Sequence, residues 1–512
     1  MSLFSQTANW QGGEAAKCRI QWSHSLTWLQ RPFLPGTGVS ALRGAKRGAF
    51  GGVLCCLLLF FLLFQCVVAG KATASLKFGQ FTISDEVELG RKFNILVSSR
   101  LPLVEDPEIL AYTQSVLERL QRQMPPQPFP IKVRVVRNGS LNAFAGPAGH
   151  VFMYTGLFQH LENESEFAGV LAHELAHVSQ RHIAARIEKS QWTSIGTLLG
   201  VLAGAMLGGD AGSALIYGSL AGGQSAILSY SRENEREADQ VGMNYLVNAG
   251  FRPQGKVQAF ETIRRLRWLG GSTPVYLSTH PGIDERILYL ENRVEQMPKH
   301  VREREEDNRA YHRARMLVIA RYVEPKKALA FFHRAEFDQC LETLGRAIVF
   351  TRSNRMTEAR ETFDQALACA PDDPLLLREA GAFFLLQGEF DLAADLLQKA
   401  VLRNPRDQMA LYHYARTLVA LNQVDQAILL LQRILTQLPE QPTVHAYLGR
   451  LLGQKGHTFL AHLHLGYAAI YTNNKKQADF HMQRAAENVR SDLDREDLER
   501  QKQVYAEREE FW

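Results

Sequence analysis

His173-Glu174-Leu175-Ala176-His177 places two imidazoles four residues apart with a carboxylate beside the first. Positions i and i+4 of an α-helix share a face. Both rings could therefore hold one zinc ion, with Glu174 placed to take a proton from a water on that metal. This is equipment for metal-assisted hydrolysis, in which the metal lowers the pKa of its water towards neutrality and polarises a carbonyl, so no side chain need become covalently attached. Replacing Glu174 by glutamine should then abolish turnover while sparing metal and fold. Five such residues can also meet by chance on a surface helix, so the motif calls for a third ligand and an open position for water.

The elements that would position these groups can be read around them. Ala168 to Ala184 has helical periodicity and no proline. A second helical stretch opens at Ser231-Arg232-Glu233-Asn234-Glu235-Arg236-Glu237-Ala238-Asp239, where Glu235 and Asp239 lie four apart on one face. Taken alone this cluster reads as a solvated helix face. Beside the motif, Glu235 reads as the third ligand and Asp239 as the carboxylate that accepts the spare N–H of a ligand histidine and fixes its tautomer. His182 reads as structural or exposed rather than catalytic. Asn142 to Gly149 followed by Val151 to Gly156 reads as a turn leading into a short strand.

HELAHVSQRH (173–182), then SRENEREAD (231–239), then Thr279-His280-Pro281 with Arg286 six residues past the histidine, resembles the HtpX-type zinc metallopeptidases, and most of all their BepA-like periplasmic branch. Three separated blocks in the right order carry the likeness, which extends from about residue 80 to the end. It implies zinc ligands at His173, His177 and Glu235, a general base at Glu174 and a supporting carboxylate at Asp239. It further implies that His280 and Arg286 face the site, the histidine able to shield the open metal position and the arginine placed to stabilise a tetrahedral intermediate. The 151–156 strand would border the cleft, where a substrate could add as a further strand; ordinary sheet core fits the same letters.

The 512 residues suffice for two or three domains, and 46% apolar with 22% charged residues is ordinary globular composition. The net charge of +5 is concentrated at the start. Residues 1–74 hold Lys17, Arg19, Arg31, Arg43, Lys46, Arg47 and Lys71 against Glu14 alone, and nothing later suggests a nucleic-acid partner. Arg43, Lys46 and Arg47 precede the apolar run Val53 to Phe64, with Ala72-Thr73-Ala74 as a cleavage site: a signal peptide is favoured over a retained anchor at 49–69. Four of six cysteines lie there, leaving Cys340 and Cys369 either to pair in an oxidising compartment or to be buried separately. The apolar, Gly/Ala-rich stretches 195–207 and 214–228 are each too short to span a bilayer, so they read as a buried or membrane-surface helical hairpin with scope for peripheral membrane contact.

The C-terminal third repeats every 34 residues, at Pro371, Pro405 and Pro439, at Ala359, Ala393, Ala427 and Ala461, and at the turn positions Asn354, Gly388, Asn422 and Gly456. That is the period of tetratricopeptide helix pairs, which stack because none can bury its apolar face alone. The fold expected is mostly α: an α+β zincin-type protease domain, with its active-site helix and a small sheet, followed by an α-solenoid. The divisions expected are an N-terminal extension with signal peptide (1–74), protease (75–300), a charged and exposed helical linker (301–334), repeats (335–490) and a charged helical tail (491–512). The resemblance implies a periplasmic endopeptidase, with one Zn2+, that acts on misfolded or stalled envelope proteins, its repeats recruiting substrate or outer-membrane assembly machinery. The alternatives are an assembly factor or chaperone with a latent protease site, and a quality-control protease anchored in the inner membrane by 49–69.

Overall fold

The computed structural model describes residues 81–189, 230–269, 275–332 and 337–509, with the single positions 199, 204 and 512. All belong to one unit, Ser75–Trp512. The expected signal peptide or anchor lies outside the described residues, as does the apolar pair 195–207 and 214–228 apart from positions 199 and 204. No described helix is long and apolar enough to cross a membrane.

Helices α1 (Ile83–Arg100) and α2 (Pro107–Gln121) precede a three-stranded sheet of β1 (Lys132–Val136), β2 (Ala143–Ala145) and β3 (His150–Tyr154). Thr82 and Asp85 form a capping box on α1, and Asp106 caps α2 ahead of a proline at its first turn. The sheet order is β1-β3-β2, with β1 parallel and β2 antiparallel to β3. As the middle strand, β3 is buried at every position, which explains its unbroken apolar run Val151-Phe152-Met153-Tyr154. The segment expected as a turn thus contributes a strand of its own, β2, before the turn at 147–149.

After α3 (Thr155–His160), the motif helix α4 (Glu164–Ser179) starts at Asn163, whose side chain accepts the Glu166 N–H. Every residue from Glu164 to Val178 is buried, so α4 is a central helix. It stops at Ser179; Gln180 and Arg181 form a turn, and α5 (His182–Lys189) begins afresh. The continuous helix expected over 168–184 is therefore broken, and the break sits at Arg181, whose φ of +51° is left-handed.

Flanking α4 are α6 (Arg232–Asn248) and α7 (Pro253–Leu269). Glycines permit this approach: a Cβ on Gly242 would lie 2.7 Å from the Ala172 carbonyl oxygen, and one on Gly169 would lie 2.8 Å from the Lys256 Cα. The bundle closes with α8 (Val275–Thr279) and α9 (Ile283–Glu295).

Residues 302–315 are not the exposed helix expected. A short α10 (Lys299–Arg302) is followed by non-helical residues and then by α11 (Arg309–Tyr322), whose Tyr311, Ala314 and Met316 to Ala320 are buried. The charge pattern misled because Arg313, Arg315 and Arg321 all have acceptors: Arg315 donates to the Phe158 carbonyl, and the other two pair with carboxylates. One apolar core runs without interruption from Val104 through α11 to Ala410.

Beyond α12 (Pro325–Phe332) come the helix pairs α13 (Gln339–Arg352) and α14 (Met356–Cys369), α15 (Pro374–Gln387) and α16 (Phe390–Arg403), α17 (Gln408–Ala420) and α18 (Val424–Gln437), and α19 (Pro442–Gln454) and α20 (Thr458–Tyr471). Asn354, Gly388, Asn422 and Gly456, the 34-residue turn series, all adopt left-handed φ between the two helices of a pair. Glycine and asparagine tolerate that conformation, which is why they alternate there. Ala359, Ala393, Ala427 and Ala461 are buried where the second helix of each pair meets the first. Cys340 and Cys369 form a disulfide between α13 and α14. Helices α21 (Lys475–Glu487) and α22 (Asp492–Glu509) end the stack; α22 is polar, and its buried Gln501 donates to the Leu463 carbonyl.

Candidate active site and metal centre

Helix α4 brings His173, Glu174 and His177 to Glu235 and Asp239 on α6 and to His280, which follows α8; all six are at most 1% exposed. One donor atom from each of His173, His177, Glu235 and His280 falls within 4.8 Å of the other three. The Nε2 atoms of His173 and His177 are 3.1 Å apart, and Glu235 reaches them at 3.5 and 3.4 Å. His280 Nδ1 lies 2.9 Å from Glu235 Oε1 and 3.4 Å from His173 Nε2.

This donor set fits a metal ion on chemical grounds. His173 Nδ1 lies 2.9 Å from Asp239 Oδ1, and an ionised carboxylate only accepts, so the proton of that ring is on Nδ1 and a lone pair is on Nε2. Acceptors thus face acceptors inside a dry site, which a shared cation reconciles. Glu174 is fully buried, and among the described residues neither of its carboxylate oxygens is hydrogen-bonded and His280 Nε2, 3.7 Å from Glu174 Oε1, has no hydrogen-bond partner.

Cations surround the carboxylates. Arg286, at the start of α9, donates to Asp239 through Nε at 2.7 Å and Nη2 at 2.8 Å, and pairs with Glu235 through Nη1. Lys256 on α7 is fully buried with Nζ 3.1 Å from Asp239 Oδ1, and the Tyr289 hydroxyl donates to Asp239 Oδ2. Burial alone would raise Asp239, but Arg286 and Lys256 hold it well below the usual carboxylate range. Glu235 is likewise kept low against burial by His280 and Arg286. Burial pushes the Lys256 ammonium down to about 8, with Asp239 opposing. Arg286, expected to face a reacting carbonyl, has its guanidinium engaged with both carboxylates.

The seven residues singled out from the sequence, His173, Glu174, His177, Glu235, Asp239, His280 and Arg286, therefore meet in one buried cluster. Sequence reasoning passed over others. Lys256, Tyr276 and Tyr289 sit in no motif. Tyr230, just ahead of the acidic block, stacks on His177 with ring centroids 3.8 Å apart, and its hydroxyl has no partner. His182 is 4% exposed, with Nδ1 2.8 Å from His177 Nδ1 and Nε2 3.2 Å from Glu237 Oε2. Its place at the end of HELAHVSQRH was the available signal.

Comparison with known proteins follows the same division. The model of peptidase family M48 matches residues 105–294, and a tetratricopeptide-repeat model matches 384–451. The chain is similar to the beta-barrel assembly-enhancing protease of Yersinia pestis, 30% identical over 370 residues, covering 70% of this chain and 76% of the relative. Its counterpart in Escherichia coli (strain K12) is 30% identical over 338 residues, covering 64% and 67%. The mitochondrial metalloendopeptidase OMA1 of Arabidopsis thaliana is 33% identical over 162 residues, 31% of this chain and 30% of that one.

Proposed function

The chain belongs to peptidase family M48 and is a metalloendopeptidase, and from that premise we propose that it is a zinc enzyme of the bacterial envelope. It would cleave misfolded or stalled outer-membrane and periplasmic proteins, with its repeats recruiting substrate or assembly machinery. One observation carries the reading: four buried donors converge within 4.8 Å beside a buried glutamate whose oxygens have no hydrogen-bond partner among the described residues.

His173, His177 and Glu235 would hold the ion, and two imidazoles with one carboxylate suit zinc. Zinc bound there supplies Lewis acidity, acidifying water and polarising a carbonyl. Glu174 takes the proton of the attacking water and returns it to the leaving amine. Asp239 fixes His173, while Arg286 and Lys256 keep Asp239 ionised. The strand at 150–154, expected to border the cleft, is paired on both sides, so the edge at which an extended substrate could add by main-chain hydrogen bonds is β2, residues 143–145. The names of the relatives and the Cys340–Cys369 disulfide, a bond of oxidising compartments, support an envelope location.

His280 favours a second element of the reading. Its Nδ1 sits among the donors and its Nε2 faces Glu174, so it fills the approach that a substrate carbonyl needs. The resting site is then latent, and a substrate or partner must draw His280 aside.

Hydrolysis of an unfolded protein by the zinc-loaded full chain tests both points, with Glu174→Gln and His280→Ala run beside the parent. Cleavage lost in Glu174→Gln and raised in His280→Ala is expected. If neither parent nor His280→Ala cleaves, the role passes to an assembly factor without turnover of its own.

A further inference from the structure

We propose that His182 is a positioning residue for the metal centre: with Glu237 behind it, it orients the His177 ring so that the Nε2 lone pair faces the metal. The inference rests on reading His173, His177 and Glu235 as ligands.

The two ligand histidines are supported differently from behind. His173 has a carboxylate, Asp239, against its Nδ1. His177 has the ring of His182, Nδ1 to Nδ1 at 2.8 Å. The far nitrogen of His182 lies 3.2 Å from Glu237 Oε2, whose side chain is 52% exposed. Chemistry decides the direction of both bonds. The Glu237 carboxylate accepts, so His182 Nε2 carries the donated proton. A neutral His182 then has a lone pair on Nδ1, and the proton between the rings belongs to His177 Nδ1. That leaves His177 Nε2 bare, 3.1 Å from His173 Nε2 and 3.4 Å from Glu235. A carboxylate–imidazole–imidazole relay thus runs from the surface to the metal position, doing for His177 what Asp239 does for His173.

The backbone supplies an independent reason. His182 reaches His177 only because the chain reverses between α4 and α5, and the reversal puts Arg181 at φ +51°. Helices ordinarily place glycine at such a position, because a Cβ crowds the following carbonyl oxygen there. The arginine is retained by its side chain: Nε and Nη2 donate at 3.0 and 2.7 Å to Glu86 Oε2 on α1, a carboxylate 4% exposed. A residue in left-handed conformation, held by an ion pair to a buried carboxylate, stands next to the histidine whose aim depends on it. A left-handed non-glycine residue held in this way is characteristic of functional geometry.

A histidine that merely filled space would be replaceable by a ring of similar bulk, whereas a positioning histidine needs an acceptor. Zinc affinity of the full chain, measured by competition with a chromogenic chelator, separates these roles. His182→Phe should weaken zinc binding by about 10–100-fold, and His182→Gln, whose amide oxygen can accept the His177 proton, should recover part of that loss. Glu237→Ala, at a half-exposed site that does not threaten folding, should weaken zinc in the same direction by a smaller factor. Parent affinity in His182→Phe, or equal loss in the phenylalanine and glutamine variants, overturns the proposal. If the His182 variants do not fold, unchanged affinity in Glu237→Ala overturns it. His173→Ala is the reference: a parent that takes up no zinc, or a His173→Ala that still does, defeats the ligand assignment itself, and the role of His182 with it.

Discussion

Among the described residues, two buried clusters of charge are built on opposite rules. Where the repeats meet the protease, Asp106 caps α2 and places Oδ2 3.1 Å from Arg321 Nε and 3.3 Å from Arg378 Nη2. Arg378, fully buried, also reaches Asp407 at 2.9 Å and Glu379 at 2.7 Å, and Arg321 reaches Glu379 at 2.6 Å. There guanidinium donors meet carboxylate acceptors, and each of Asp106, Glu379 and Asp407 has a guanidinium nitrogen within 3.3 Å. In the HExxH cluster Arg286 and Lys256 serve the carboxylates of α6 from one side, but on the other side acceptors meet acceptors: two imidazole nitrogens at 3.1 Å, with Glu235 at 3.4 to 3.5 Å from them, and Glu174, which has no hydrogen-bond partner among the described residues. The first arrangement holds two regions together. The second makes electrostatic sense once a cation enters.

The comparison predicts a double dissociation. Glu174→Gln removes a proton acceptor that makes no hydrogen bond in the fold, so hydrolysis should fall by about 10^2–10^4-fold while the thermal midpoint and zinc stoichiometry stay those of the parent. A lowered midpoint would show that Glu174 is structural after all. Arg378→Ala should do the reverse. It strands Asp407 and leaves Asp106 with Arg321 alone, at a cost of about 3–5 kcal/mol, seen as a lower urea midpoint, yet the molecules that remain folded should bind zinc as the parent does. Weakened zinc binding in that variant would mean that the two clusters are coupled through α2 and α4. Removing the metal is the milder perturbation. A chelator should lower stability by about 2–3 kcal/mol if zinc had been present near a hundredfold above its dissociation constant, and the same loss should be absent in His177→Ala, which has no metal to lose.

How much of this could be read from the sequence follows the same line. The metal cluster is legible because helical geometry makes local spacing meaningful: His173 and His177 on α4, and Glu235 and Asp239 on α6, are each four apart. The solenoid is legible for a related reason, since Gly388 and Gly456 repeat a backbone need, left-handed φ, at a fixed interval. The junction is not legible. Asp106 and Arg378 are 272 residues apart, and nothing in a run of charges tells a solvated arginine from one such as Arg321 that has a buried carboxylate waiting. The end of α4 was missed because Arg181 is a good helix former forced left-handed by its pairing with Glu86, a tertiary contact that overrides propensity. His182, read as structural or exposed, is buried, and its contact with His177 is not legible because the turn at Arg181 interrupts the helix along which positions are counted.

Acid should separate the clusters most finely. Metal ligands must be deprotonated, and imidazoles ordinarily take up protons at higher pH than carboxyls do, so protons compete with zinc early as the pH falls. The junction answers to a different group. Burial would raise Asp106, yet Arg378, Arg321 and the Glu108 and Ile109 amides hold it below its ordinary 3.8. A carboxyl depressed in the folded state contributes stability that is complete above its unfolded value and is lost as pH falls through the folded one. Zinc should therefore leave the folded chain first, and the Asp106 contribution should fade only below pH 3.8. Indicator-detected zinc release and urea midpoints over the same pH series follow the two events, and Asp106→Asn should flatten the lower one while leaving zinc release in place. A single transition shared by both signals would show that the metal centre and the junction open as one unit, and that the distinction between a cluster of paired opposite charges and one completed by a cation does not govern their stability.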